Sequence, residues 1–148
     1  MGQIVYECMM SLFASLCFGI IFHVRGIKLL FAGLGGSLGW LIYLLCAAPF
    51  PASAIPRYFC ATVGITIFAE WCARAFRAPV SVFLAVALIP LVPGNGIYQT
   101  MLQCIRGNTS AALHECVNTV GIAGALSMGI VIVSSTVHLF LRQSARNK

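Results

Sequence analysis

The densest chemistry in the chain lies in ALIPLVPGNGIYQTM, residues 87–101, where Pro90, Pro93, Gly94, Asn95, Gly96, Tyr98 and Gln99 crowd an otherwise apolar run. A proline inside a helix removes a backbone donor and clashes with the preceding turn, at about 3 kcal/mol. In lipid there is no water to satisfy the freed groups, so irregular backbone is tolerated only where it faces protein or lines a cavity. A second half-helix starting near Gly96 and ending near Ile105 has first-turn amides, Gly96 through Gln99, without partners and at the positive end of the helix dipole. Discontinuous membrane helices hold carboxylates and other anions in this way. Asn95 adds an amide, Tyr98 a hydroxyl, and Gln99 and Gln103 further polar contacts on the next turn. The competing reading is a proline kink packed against its neighbours, and the residues alone leave both open.

A second candidate pair is Glu70 and Arg74 in AEWCARAFRAP, four residues apart and therefore on one helix face. An ionisable group within a span points to a proton or substrate role. Yet Glu70 stands only about 10 Å from the end of its helix by helical rise, and Arg74 can extend to the interface, which favours a structural ion pair. Glu7 and Glu115, the other two acids, are expected at span ends, leaving Glu70 as the acid deep enough to act. His23, His114 and His138 fall at helix ends with no metal-site spacing.

Enzyme motifs are absent from the sequence. GLGGSLG, residues 33–39, does not fit G-x-G-x-x-G, and there is no phosphate-loop lysine, H-E-x-x-H or G-x-S-x-G. No catalytic residue, metal or cofactor is expected. NTS at 108–110 matches the glycosylation pattern, but Thr109 or Ser110 is at least as good a helix cap.

The elements that must position these residues follow from composition. Of 148 residues 60% are hydrophobic and 8% charged, against roughly 25% charged in soluble domains. This is an all-α integral membrane protein, a single membrane domain over 1–148. At about 20 residues per crossing, five transmembrane helices fit: about 4–23, 29–47, 58–76, 80–105 and 114–140, the fourth broken at 90–96. A rise of about 20 Å over residues 80–92 sets the break past the midplane, toward the outer side. The net charge of +6 does not indicate nucleic acid, because the basic residues punctuate apolar runs. They read as topology signals. An outside amino terminus and cytoplasmic carboxyl terminus put seven of the nine basic residues inside. The opening MGQIVYECMM lacks the positive start of a cleavable signal peptide.

Small residues line two helices, Gly35 and Gly39 with Ala32 and Gly36 in one, and Gly121, Ala125 and Gly129 in the other. Such stripes let helices approach closely in lipid, and the surface served is either within the chain or on another copy, a possible homo-oligomer. The seven cysteines show no C-x-x-C spacing and read as reduced packing residues, with one outer disulfide among Cys60, Cys104 and Cys116 as the alternative.

The run EWCARAFRAPVSVFLAVALIPLVPGNGIYQTM, followed by the Asn118 region and GIAGALSMGI, resembles the threonine/serine exporter family, specifically its second, smaller membrane half. The likeness is sharpest at I-P-L-V-P-G with Tyr98 and Met101 behind it, and extends more loosely over nearly the whole chain. It implies a bacterial inner-membrane exporter of small amino acids or small dicarboxylates such as succinate. Because the first half of the fused form is not in this chain, it also implies a larger five-span partner subunit. The alternative is a non-transporting subunit that anchors or stabilises a complex. The mechanism expected from the residues is that the substrate carboxylate docks on the amides near Gly94 to Tyr98, while Glu70 or a partner acid carries the coupling proton.

Overall fold

The computed structural model describes residues 2–49 and 53–146, with side chains through Leu139. Among them every regular element is helical: α1 (Gly2–Ile21), α2 (Ile27–Leu45), α3 (Ile55–Ala75), α4 (Val80–Leu88), a 3-10 turn (Ile89–Leu91), α5 (Gly94–Ile105) and α6 (Thr109–Arg146). The order of elements matches the sequence reading. The last helix is longer than expected, because Asn108 starts it: its Oδ1 accepts from the Ala111 amide at 3.4 Å and from Ser110 Oγ at 3.2 Å. Neither Thr109 nor Ser110 is the cap. Arg142, Arg146 and Lys148 of the charge count lie outside the residues whose side chains are described.

Three helix ends close in the same way, α5 on Gly107 at φ 74° with the Asn108 amide on Gln103 O at 3.0 Å, and two on non-glycine residues. After α1 the Val24 amide reaches back to the Gly19 carbonyl at 3.0 Å, with His23 at φ 58°. After α3 the Ala78 amide bonds the Ala73 carbonyl at 3.0 Å, with Arg77 at φ 47°. Both are left-handed caps that satisfy final-turn carbonyls, and Pro79 then starts α4.

Three helices are long and apolar enough by themselves to cross a membrane, namely α1, α2 and residues 109–139 of α6. The pair α4 and α5, bent by 48°, becomes a fourth if it is one span. Helix α3 has the length, at 21 residues, but Thr62, Thr66, Glu70 and Arg74 make it less apolar. It is also well enclosed, with Ala61, Thr62, Ile65, Thr66, Ala69, Glu70, Cys72 and Ala73 buried. Both threonine hydroxyls donate to the carbonyl four residues back, Thr62 to Tyr58 at 2.8 Å and Thr66 to Thr62 at 2.7 Å, so neither is an orphan polar group in the core. Large apolar side chains instead point outward, as at Ile20, Ile67 and Leu139, which suits lipid as the surrounding solvent.

The small stripes are used inside the chain. A side chain at Gly36 would run into Ser15 of α1 and touch Pro90, and one at Gly39 would run into Ile65 of α3. Gly121 lies against Ile55 and Gly129 against Thr62, so α6 runs parallel to α3. The residues of α6 before Gly121 therefore extend past the start of α3, and α5 packs beside them. Between these layers sit two apolar clusters. One joins Ala32, Ala69, Cys72, Ala73, Phe83 and Val86. The other joins Ala61, Ile65, Ala87 and Leu91.

Candidate functional site

The break is built by its prolines. Helix α4 stops at Leu88, and Pro90 occupies the 3-10 turn that follows. Val92 precedes Pro93 and is pushed to extended backbone, φ −61° and ψ 127°, as a residue before proline must be. The turn is closed by the Val92 amide to Ile89 O at 3.2 Å and the Gly94 amide to Val92 O at 2.7 Å. The Ile97 amide then bonds Pro93 O at 3.3 Å. Helix α5 thus restarts at Gly94 rather than near Gly96, and the first-turn amides outside its ladder are those of Asn95 and Gly96. The amides of Tyr98 and Gln99, expected in that role, belong to the ladder itself.

The break begins level with the middle of the neighbouring helices. Pro90 faces Gly36, midway along α2, and Leu91 packs with Ile65, midway along α3. The extended Val92 and Pro93 then carry the chain toward α6.

A cavity of about 270 Å³ opens where they do so. One wall is aromatic: Trp40 and Tyr43 of α2 and Tyr58 of α3, with ring centroids 5.2 Å apart for Trp40–Tyr43 and 4.8 Å for Tyr43–Tyr58. Trp40 is held from behind, since its indole N–H donates to Glu7 Oε2 at 3.2 Å while Gln3 Nε2 donates to Glu7 Oε1 at 3.3 Å. The second wall is the break itself, Pro90 and Val92 to Gly96. The third is α6, which contributes Glu115, Asn118, Thr119 and Ile122. Thr119 Oγ1 donates to the Glu115 backbone carbonyl at 2.7 Å, whereas the Glu115 carboxylate receives no hydrogen bond among the described residues. A neighbouring cavity of about 600 Å³ shares Ala54 and Asn118 and is lined by Ser53, Arg57 and His114.

The cavity gathers Pro90, Pro93, Gly94, Asn95 and Gly96, but not all of the residues singled out in the sequence. Tyr98 is 61% exposed and Gln99 half-buried, and neither lines it. The two glycines differ. A side chain at Gly94 would meet nothing within 4 Å, while one at Gly96 would collide with Thr119. Gly96 is therefore where α5 packs on α6. Glu70 is buried and paired with Arg74 at 3.2 Å, twelve residues beyond Tyr58 and so about 18 Å farther along α3.

Sequence reasoning passed over Glu115, Trp40, Tyr43 and Tyr58. For α6 a signal existed: Glu115, Asn118, Thr119 and Ile122 follow i, i+3, i+4, i+7 and share one face. The aromatic wall had none, because Tyr43 and Tyr58 come together only when α2 and α3 pack. No group of three or more His, Cys, Asp or Glu able to hold a metal occurs among the described residues, and all seven cysteines are free thiols.

The model of one protein family, described as Threonine/Serine exporter, ThrE, matches residues 7–136. No curated protein and no solved structure matches the chain.

Proposed function

The chain belongs to the threonine/serine exporter family, a family of membrane transporters, and from that premise we propose that it is one subunit of a two-chain secondary exporter. In this reading its substrates are threonine and serine or small dicarboxylates such as succinate. It works with a larger five-span partner, as one or several copies, in a bacterial inner membrane. It crosses five times, with α3 enclosed by the other helices, the amino terminus outside and the carboxyl terminus in the cytoplasm.

The observation that supports the reading is the span interrupted beside a polar cavity. A break that served only as a kink would be filled by neighbouring side chains. Here Pro93, Gly94, Asn95 and Gly96 instead line about 270 Å³ of open space, below the ~300–1,000 Å³ of drug-sized ligand sites and suited to a small solute. The substrate carboxylate docks on the Asn95 and Gly96 amides, with the α5 dipole behind them. We assign the Glu70–Arg74 pair to structure and the coupling proton to an acid of the partner. Loss of coupling in Glu70→Gln, with exchange intact, would reverse that assignment.

One observation favours a second reading, an anchoring subunit that does not transport. Helix α5 buries none of its residues, and Ile97, Met101 and Ile105 are exposed along it, which suits a docking surface. Export of labelled threonine, serine and succinate from loaded cells separates the two, comparing this chain, its partner and both together. Export only with both chains supports the two-part carrier and names its substrate. Full export by the partner alone leaves this chain an anchor.

A further inference from the structure

We propose that Glu115, facing the aromatic wall of Trp40, Tyr43 and Tyr58, forms a subsite for the substrate's ammonium group and selects amino acids over dicarboxylates. The proposal rests on the reading that this cavity is the transport site, and it extends that reading to specificity.

Glu115 is half-buried on the cavity wall, and its side chain receives no hydrogen bond among the described residues. Its carboxylate oxygens are reachable from the cavity rather than sealed in the core. Glu70 shows how the same chain treats a carboxylate it means to keep buried, with a guanidinium at 3.2 Å. Arg57 and His114 line the adjoining cavity, not this one. Glu115 is therefore open to a cation that enters the cavity.

The opposite wall fits the same ligand. Aromatic faces attract ammonium groups through the ring quadrupole, more strongly where water is excluded. Trp40 is fixed by Glu7 at 3.2 Å, and its contact with Tyr43 holds that ring in turn. A zwitterion therefore meets an acid and an aromatic wall in the same cavity as the Asn95 and Gly96 amides. A dicarboxylate brings a second negative charge toward Glu115 and is repelled.

The test is binding to the full chain in lipid nanodiscs. It is read by Trp40 fluorescence in a Trp71→Phe background, which leaves Trp40 alone of the two tryptophans. The probes are L-threonine, 1-amino-2-propanol, which keeps the ammonium, and 3-hydroxybutyrate, which keeps the carboxylate. Both amines are expected to perturb Trp40 saturably. Glu115→Gln is expected to weaken them tenfold or more while leaving 3-hydroxybutyrate unchanged or tighter, and Glu115→Asp to retain most of the amine binding. Equal weakening of all three probes, amine binding untouched by Glu115→Gln, or no amine signal would overturn the proposal. Threonine export followed in parallel keeps the two readings apart. Glu115-dependent amine binding without export sinks the transport reading alone, and export with an unchanged threonine KM in Glu115→Gln sinks the ammonium subsite alone.

Discussion

Glu70 and Glu115 occupy opposite regions of the molecule, and the fold treats them in opposite ways. Glu70 is buried on α3, bonded to Arg74 at 3.2 Å, beside Ala69, Cys72 and Ala73, which pack with Phe83 and Val86. Glu115 stands on α6 beside about 270 Å³ of open cavity, with no donor to its carboxylate among the described residues. The difference is one of partner and of room. A charge that is paired and packed belongs to the architecture. One left beside empty space, opposite a broken helix, is available to something that comes and goes.

The largest effects are expected at the frame that holds the cavity open. Gly36→Leu drives a side chain into Ser15 and Pro90, and overpacking of a filled interior typically costs ~1–3 kcal/mol. Loss of monodisperse, membrane-inserted protein is expected, measured as yield after detergent extraction. Gly96→Ala should fail for a related reason, by collision with Thr119. Adding Thr119→Ala is expected to recover part of the export that Gly96→Ala loses, whereas Gly94→Ala, in open space, needs no such rescue.

Next in size is Glu115→Gln, expected to raise the threonine KM for export at least tenfold with insertion unchanged. At the other glutamate, Arg74→Ala removes the partner of a buried carboxylate. A hydrogen bond to a charged group is worth ~1.5–3 kcal/mol, but Arg74 is 49% exposed and solvent screening reduces this to about 1 kcal/mol. A modest fall in thermal midpoint in detergent, with the threonine KM unchanged, is the expected result. A large KM effect there would erase the distinction between the two regions. The smallest effect is expected at Tyr98→Phe, since Tyr98 is outside the cavity: export within twofold of the parent.

Much of the architecture was readable before any coordinates. The helix order, the break at Pro90 and Pro93 and the Glu70–Arg74 face follow from local rules of helix length, proline sterics and four-residue spacing. What local rules could not supply was company. Pro90 seats against Gly36 and Leu91 against Ile65, contacts that only the packed helices provide. Pro93, with its carbonyl free to accept from Ile97, moved the start of α5 back to Gly94. Glu115 looked peripheral because it sits early in its own helix. Only the length of α6 beyond the start of α3, where Gly121 meets Ile55, brings it beside Asn95 and Gly96. The aromatic wall is a product of tertiary packing alone.

The central claim is that the cavity at the break holds the substrate, and cysteine protection tests it most directly. With every cysteine but the buried Cys72 replaced, Asn95→Cys and Tyr98→Cys are each labelled with a small thiol reagent in membranes containing the full transporter, with and without L-threonine. The account predicts that threonine slows labelling at Asn95→Cys severalfold and leaves Tyr98→Cys unchanged. Equal labelling of Asn95→Cys in both conditions, or protection confined to Tyr98→Cys, would contradict it.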